Sequence, residues 1–190
     1  RLHREGGWPR LFDFCRPRKI GSMIDPELEA RLNRLREYVH YDPETGVVSC
    51  IKRRPGGKWE VGVEIGNADR YGYLQFQSEG RQYLLHRVIY FLMTGTYPPI
   101  VDHKDGHRQN NAWLNLREAN PSQSAANRGP RKNQRYPKGV ETIRNSPRFQ
   151  ARITVRGTRI ALGIFDTPEE AHAAYCIAAA KFHGEFARAA

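Results

Sequence analysis

Apolar and polar residues alternate along the chain with a period that changes from helical to strand-like. In residues 26–40 the apolar positions recur as they would on one face of a helix. These positions are Leu28, Leu32, Leu35 and Val39. Asp25 and Pro26 stand directly before them and are typical of a helix start, because Asp caps the first turn and proline fits the first helical position. The pattern predicts an amphipathic helix over residues 26–40.

From residue 41 the pattern shortens to brief runs separated by glycine-containing turns, which is typical of short strands. The predicted strands lie in YDPETGVVSCIKRR, VGVEIGN, YGYLQFQ and RQYLLH. Ser78-Glu79-Gly80 is expected to join the last two as a hairpin. Residues 86–93 are apolar nearly all round, which favours a buried helix that ends at Thr94-Gly95.

A second pattern follows residues 129–138, a stretch rich in proline and basic residues that predicts a linker. Residues 148–155 alternate strictly between apolar and polar side chains, as in a strand with one buried face. After a turn at residues 156–158 the alternation is repeated by Ile160, Leu162 and Ile164.

The chain then shows the signals of a helix. Thr167 is a candidate N-cap, Pro168 suits the first helical position, and Glu170 completes a capping box. One stripe of this helix is small or aromatic and is expected to lie against the sheet. It consists of Ala171, Ala174, Tyr175, Ala178 and Phe182.

A length of 190 residues suits two small domains. We expect a basic, disordered tail at residues 1–22, with Met23 as a candidate true start, and a first domain at residues 23–128. The linker at residues 129–138 then leads to a second domain at residues 139–190. Both domains mix helices with short strands, so the expected fold class is α+β, with β-hairpins near the N-terminus.

The chain is strongly basic, with 31 Lys and Arg against 20 Asp and Glu, a net charge of +11 and a pI of about 9.9. Residues 129–190 hold 11 of the basic and 5 of the acidic residues, a net of +6. Such a balance favours a polyanionic partner, and nucleic acid is the first to consider.

Other features concern the compartment. The chain contains no run of eighteen apolar residues, so no membrane span is expected. Its three cysteines include no C-x-x-C pair, which argues against a zinc knuckle and against a disulfide scaffold. We therefore expect a reducing, cytoplasmic location.

The stretch from Val101 to Arg128 carries the candidate chemistry. Cleavage of a phosphodiester needs an activated water, support for the departing 3′ oxygen and a cation against the phosphate. A neutral imidazole at His103 can accept a proton near pH 7, and Asp102 offers an oxygen ligand to Mg²⁺. The Asn115 amide is expected to accept the ring N–H of His103 and fix its tautomer.

Four nearby polar residues have simpler interpretations. Asn110 and Asn111 are expected in a turn, within a solvent-facing loop from Lys104 to Asn111. His107 is expected on the surface of that loop, and His86 as a partly buried histidine with a hydrogen-bond partner.

HRVIYFLMTG followed by IVDHKDGHRQNNAWLNLREANPSQSAANR resembles the HNH homing-endonuclease family of phage and bacterial genomes, which is built on a ββα-metal (His-Me finger) motif. The resemblance covers residues 41–128, and Asp-His, Asp-Gly, Asn-Asn and Asn-Leu-Arg recur in the family's order. It implies that Asp102 is a metal ligand, that His103 is the general base and that Asn115 braces the motif.

One position departs from the family. A metal-binding Asn or His is common in the helix of the motif, but the aligned position here is Ser124, with Asn127 one turn later. Asn127 could take over as ligand, Ser124 could ligate weakly or through water, or the site could be impaired.

Residues 138–187 resemble the DNA-binding domain of the plant apetala/ethylene-response-factor family, which occurs fused to HNH nucleases in phages. Gly-Val at the start, Leu-Gly-x-Phe and Ala-Ala-Tyr carry the likeness. It implies a three-stranded antiparallel sheet on one helix, with the outer sheet face in the DNA major groove. The expected contact residues are Arg144, Arg148, Gln150, Arg152, Thr154 and Arg159. Glu141 and Ala161 replace an Arg and a Trp of that family, so the base preference must differ.

Together these observations predict a metal-dependent DNA endonuclease of the homing type that acts on double-stranded DNA. The expected cofactor is Mg²⁺, with Mn²⁺ as the alternative; no small-molecule cofactor is expected, and the protein should be a monomer in a bacterial or phage-infected cell. The alternative is a DNA-binding protein or regulator with a decayed nuclease site, and a third candidate is a protein that binds or cleaves RNA.

Overall fold

The computed structural model describes residues 24–130 and 133–188. Within these ranges the chain is a mixed α+β protein with four α-helices and ten strands in four small antiparallel sheets, which confirms the expected fold class. The tail predicted at residues 1–22 lies outside the described residues. No helix in the described ranges is both long and apolar enough to cross a bilayer.

The helices are Pro26–Leu35 (α1), Leu85–Thr94 (α2), Pro121–Ala126 (α3) and Pro168–His183 (α4). The strands before α3 are Val39–Tyr41 (β1), Val48–Cys50 (β2), Asn67–Ala68 (β3), Leu74–Ser78 (β4), Arg81–Leu84 (β5), Val101–His103 (β6) and Leu116–Glu118 (β7). The strands after α3 are Val140–Thr142 (β8), Phe149–Val155 (β9) and Thr158–Phe165 (β10). Single-turn 3-10 helices lie at Trp113–Asn115 and Gly184–Phe186. The sheets have the orders β1-β2, β3-β4-β5, β6-β7 and β10-β9-β8.

Helix α1 begins as predicted, with the Asp25 carboxylate accepting the Glu27 N–H at 3.1 Å. It ends at Leu35 rather than at residue 40, so the predicted length is wrong. Val39 has left the helix and pairs with Cys50 across β1 and β2, where it is buried. Strand pairing therefore decides the conformation of Val39, although its spacing from Leu35 is helical.

The predicted buried helix is confirmed as α2, which packs against α1, β4, β5 and β6. Coverage from several directions explains why its residues are apolar nearly all round. The helix ends at Gly95, whose φ of 73° is in the left-handed region and whose N–H donates to Phe91 O at 2.8 Å. The C-terminal end of α2 thereby turns the chain towards β6.

Of the strands predicted between residues 41 and 93, the β4-β5 hairpin is confirmed. Its turn residues Glu79 and Gly80 have φ values of 50° and 72°, as a tight hairpin turn requires. The strand expected in VGVEIGN is wrong over residues 61–66, where Val61 and Val63 are exposed and lie outside any strand, whereas Asn67 begins β3. In that run Glu64 forms an isolated bridge to Ser49.

The hairpin of β6 and β7, followed by α3, lies directly after α2. The strands pair antiparallel, which sets Asp102 opposite Arg117 and His103 opposite Leu116. All three residues of β6 are buried. Helix α3 is short, and a complete capping box stabilises its N-terminus. The Asn120 side chain accepts Gln123 N–H, and the Gln123 side chain accepts Asn120 N–H.

The three-stranded sheet on one helix that is expected in residues 139–190, here called the second unit, is present. Strand β9 lies in the centre, and α4 packs on all three strands. Ala151 and Ile153 of β9 face inward, and small side chains on α4 let the helix lie close to them. The cap is also as predicted, since Thr167 Oγ1 accepts Glu170 N–H at 3.3 Å. The buried stripe of α4 ends at Ala179. Phe182 therefore lies outside it and is 45% exposed.

The turn between β1 and β2 lies close to the backbone of Asn111 and Ala112. Gly46 has a φ of 79°, and a Cβ there would lie 2.3 Å from Ala112 N and 2.4 Å from the Asn111 carbonyl carbon. Gly72 has a similar φ of 86° but has open space around it. We expect Gly72→Ala to lower the free energy of unfolding by ~1 kcal/mol through backbone strain, and Gly46→Ala by ~2 kcal/mol more through the clash.

Urea unfolding of the two variants and the wild type would measure this difference. An equal decrease in the free energy of unfolding for both glycine variants would show that the Gly46 turn does not closely contact the loop that carries Asn111.

Candidate active site

Asp102 and His103 are consecutive residues of β6, and both are buried, with 9% and 4% of their surfaces exposed. Both nevertheless line an open pocket of about 580 Å³ between the β6-β7 hairpin, the start of α2 and the end of α3. The other polar residues of its lining are Tyr73, His86, Arg87, Arg108, Ser124, Asn127, Arg128 and Arg188. The sequence-predicted residues Asp102, His103, Ser124 and Asn127 are thus brought together.

Asp102 is held by a buried ion pair. Arg117 donates from Nε and from Nη2 to Asp102 Oδ2, each at 3.0 Å, and Asn127 Nδ2 donates to the same oxygen at 2.9 Å. Asn127 Nδ2 also donates to the carbonyl of His103 at 2.6 Å. These contacts offset the cost of burying the charge and leave Asp102 in one orientation.

The imidazole of His103 is held in a defined tautomer. Its Nε2 lies 3.0 Å from Asn111 Oδ1. An amide oxygen can only accept, so Nε2 carries the hydrogen and, in the neutral ring, the lone pair is on Nδ1. Burial lowers the pKa of His103, although the Asn111 contact and the charge of Asp105 oppose this shift. A neutral ring with a basic Nδ1 is what a proton acceptor near pH 7 requires.

The hydrogen bond expected between Asn115 and the His103 ring is wrong, because Asn111 occupies that position. Asn115 instead organises the loop between β6 and β7: its Nδ2 donates to Asp105 Oδ1 at 2.9 Å and to Asn110 O at 2.7 Å, and its Oδ1 accepts Asp105 N–H at 3.0 Å. Asn111 was expected in a solvent-facing turn, yet it is only 1% exposed. No spacing rule distinguishes Asn111 from Asn110.

His86 also differs from expectation. It is 4% exposed, and its Nδ1 has no hydrogen-bond partner within the described part of the chain. Its ring centroid lies 5.0 Å from that of His103 and 5.1 Å from that of Tyr73. Burial first, and then the charges of His103, when it is protonated, and of Arg87, lower the pKa of His86 to about 3. A neutral His86 therefore forms the wall behind His103.

The donor set fits a hard, weakly held cation. Among the described residues that line the pocket, Asp102 is the one carboxylate, and the described ranges contain no group of three or more His, Cys, Asp or Glu side chains able to hold a metal. Arg117 and Asn127 both donate to Oδ2 of Asp102, and Ser124 lines the same pocket. Mg²⁺ and Mn²⁺ suit such a site, because Mg²⁺ often takes one or two carboxylates and completes its shell with water and phosphate oxygens.

The pocket rim is basic. Arg87 and Arg108 lie over the rings of Tyr97 and Tyr73, at 4.1 Å and 4.9 Å from the ring centroids. Arg128 and Arg188 line the same opening from the end of α3 and from the end of the chain. Guanidinium groups at this density favour a phosphate ligand.

The residues expected to contact DNA lie on the outer face of the second sheet. Register places Thr154 opposite Arg159, and Gln150 and Arg152 share that face because they alternate with the buried Ala151. Arg144 is exposed in the turn before β9. Two of these arginines have acidic partners: Arg152 pairs with Glu141 at 3.0 Å, and Arg148 pairs with Asp166 at 2.9 Å.

A scan against protein families matches residues 83–126 to the family described as HNH endonuclease. The matched segment runs from β5 through α2 and the β6-β7 hairpin to the end of α3, and it includes Asp102, His103 and Asn115. A search of curated proteins finds no match to the chain. The family match supports placing this segment in the HNH family, which suggests a nuclease that acts on DNA and depends on a divalent metal.

The buried His86 predicts a pH dependence of stability. In the unfolded chain its pKa is near 6.5, whereas in the folded protein it is about 3. The stabilising effect is complete above pH 6.5 and is lost as the pH falls towards 3, because the unfolded chain then binds a proton that the folded protein does not. Between pH 7 and pH 5 the free energy of unfolding should drop by about 2 kcal/mol from this group.

Urea unfolding at both pH values checks this. His86→Phe should remove most of that drop, whereas His40→Gln, which changes an exposed histidine, should retain it. An unchanged slope in His86→Phe would contradict the burial of a neutral imidazole at this position.

Proposed function

We propose that this protein is a metal-dependent DNA endonuclease of the homing type, in which β6, β7 and α3 form a ββα-metal (His-Me finger) motif. The observation that carries the proposal is the state of His103, a buried neutral imidazole whose Nε2–H is held by Asn111 and whose neighbour Asp102 is fixed by Arg117. The HNH match over the same segment supports it.

His103 acts as the general base. Its Nδ1 takes a proton from a water molecule, whose oxygen forms a bond to phosphorus as the bond from phosphorus to the 3′ oxygen breaks. The proton stays on Nδ1, and the resulting imidazolium keeps its Nε2–H on the Asn111 oxygen. Asn111 therefore orients the ring and stabilises the charge that develops on it.

Asp102 would hold the metal, with Ser124 directly or through water and with the Asn127 oxygen as the alternative ligand. When bound, Mg²⁺ or Mn²⁺ offsets the charge of the phosphate and of the departing 3′ oxygen. Asn127 Nδ2 donates to Asp102 and to the His103 carbonyl, so we assign Asn127 first to positioning Asp102. Asn115 braces the loop between the two strands.

The second unit positions the duplex through the outer face of the β8-β9-β10 sheet, as an apetala/ethylene-response-factor-like domain would. Arg159, Thr154 and Gln150 meet the DNA directly, and Arg144 contacts it from the neighbouring turn. Arg148 and Arg152 exchange their acidic partners for DNA, which costs little because both pairs are solvent-exposed. A cleft lined by Arg152, Arg156 and Arg159 also borders Asn120 and Ser122 of the α3 region, so one duplex can contact both units.

One observation favours a second candidate, a DNA-binding protein or regulator without nuclease activity. Ser124 stands where the family commonly has a metal ligand, and Asp102 is then the one strong anionic donor among the described residues of the pocket. This candidate keeps the DNA-binding sheet and drops the cleavage step.

The direct test is conversion of a supercoiled plasmid pool carrying random inserts, by the full chain with Mg²⁺ or Mn²⁺. We expect nicking or linearisation that EDTA abolishes. His103→Ala should lower the rate by roughly 10²–10⁴-fold, because it removes the general base. His40→Ala should leave the rate unchanged, since His40 is exposed on β1 and outside the pocket.

If the wild-type protein binds the plasmid pool but cleaves none of it with either metal, the result would favour the second candidate, a DNA-binding protein or regulator without nuclease activity. Binding to RNA equal to or tighter than binding to duplex DNA, compared across a salt series, would contradict DNA as the substrate.

A further inference from the structure

The last described residues of the chain, Gly184–Phe186 with Ala187 and Arg188, lie against the β6-β7 hairpin. We call residues 184–188 the C-terminal segment. Arg117 Nη1 donates to the carbonyl of Glu185 at 2.8 Å, and the Arg117 guanidinium lies 3.6 Å from the centroid of the Phe186 ring. The same guanidinium donates to Asp102 through its other nitrogens. A single side chain thus joins the catalytic carboxylate to the end of the second unit.

Apolar contacts secure the same interface. Phe186 is 6% exposed and packs with Ala119, just before α3, and with Ala126, the last residue of α3, together with Ile100. Burial of a phenylalanine ring removes a large apolar surface from water, so this contact stabilises the docked position of the C-terminal segment. The C-terminal segment is therefore fixed to the hairpin and α3 at Phe186.

Lys138 makes a third connection from the end of the predicted linker. Its Nζ donates to the carbonyls of Ala126, of Arg128 at 2.7 Å and of Arg188 at 3.2 Å, which uses all three of its hydrogens. Two of these acceptors belong to the end of α3 and the residues after it, and the third belongs to the C-terminal segment. Lys138 therefore sets where the Arg188 backbone stands relative to α3.

The Arg188 side chain extends from this anchored backbone into the pocket of Asp102 and His103. A Cβ built on Gly106 would lie 1.6 Å from Arg188 Nη1, and one on Gly129 would lie 4.0 Å from its Cζ. The guanidinium thus lies against the backbone of the loop that follows His103. Glycine at position 106 leaves the space that the guanidinium fills.

We propose that Arg188 is a phosphate-binding residue of the active site, so that the second unit supplies part of the nuclease pocket as well as the DNA-binding sheet. This inference rests on the proposed function for its substrate, a phosphodiester. A guanidinium offers paired donors in the geometry of two phosphate oxygens, and in a partly enclosed pocket it stabilises the charge that grows there during cleavage.

The kinetic test uses the full chain and a plasmid that the wild type cleaves. Arg188→Ala should lower kcat by about 10²-fold, with KM changed less than about threefold, because most of the DNA contacts lie on the sheet. Arg188→Lys should recover part of the loss, since it restores the charge without the paired donors. Lys181→Ala is the matched control: it removes one positive charge from the exposed face of α4 and should leave kcat unchanged.

A second readout does not depend on cleavage. Titration of inorganic phosphate, followed by NMR, should give a dissociation constant that rises at least threefold in Arg188→Ala and stays at the wild-type value in Lys181→Ala. Thermal unfolding midpoints of all three proteins should agree within about 2 °C, which separates loss of an anion ligand from loss of the interface.

Equal phosphate affinity in wild type and Arg188→Ala would overturn the proposal, and so would a wild type that binds no phosphate. A loss confined to KM would also overturn it, because Arg188 would then contribute only to general DNA binding. If phosphate binding depends on Arg188 while the wild type cleaves no DNA, the proposed nuclease function fails and the anion site contributed by Arg188 stands.

Discussion

The buried ion pair between Arg117 and Asp102 is the interaction on which the rest of the site depends. Asp102 is 9% exposed, and two nitrogens of Arg117 and the Asn127 amide donate to one of its oxygens. Removal of one partner from such a pair costs about 3–5 kcal/mol, because it leaves a buried charge uncompensated. The same guanidinium also holds Glu185 and Phe186, so the charge balance of the pocket and the docking of the C-terminal segment have a common origin.

Neighbouring side chains bond one oxygen of Asp102 and one ring nitrogen of His103. Arg117 and Asn127 occupy Oδ2 of Asp102, while Asn111 occupies one nitrogen of His103. Asp102 and His103 both line the pocket, so under the proposed function the second carboxylate oxygen and the second imidazole nitrogen are the acceptors that a metal and a water molecule would use. Under the proposed function, a metal held by Asp102 and Ser124 would need further oxygen ligands from water and from the DNA phosphate, and the arginines around the opening favour binding of that phosphate.

Local patterns in the sequence were sufficient for the elements whose conformation is decided nearby. The turn at Glu79-Gly80, the end of α2 at Gly95 and the cap of α4 at Thr167 follow from turn and capping chemistry. The alternation of β9 predicted its buried face correctly. Asp102 and His103 were found because the pair and its surrounding asparagines form a recognisable order along the chain.

Contacts between distant parts of the chain decided the rest. Val39 satisfies a helical spacing but gains more from pairing with Cys50, and Asn111 resembles Asn110 until the fold buries it beside His103. The partnership of Arg117 with Asp102 depends on the register of β6 and β7, which the sequence does not specify. Phe182 and Phe186 are both aromatic residues near the end of the chain, and only the position of α3 distinguishes the exposed one from the buried one.

A double-mutant cycle between Asp102→Asn and Phe186→Ala tests the central role of Arg117 most directly. Both residues contact the Arg117 guanidinium, so loosening it at one end should change what the other contact contributes. From urea unfolding of the wild type, the two single variants and the double variant, we expect a coupling free energy of about 0.5–3 kcal/mol. Additive losses, within about 0.3 kcal/mol, would contradict the account, because they would mean that Asp102 and the C-terminal segment are held independently.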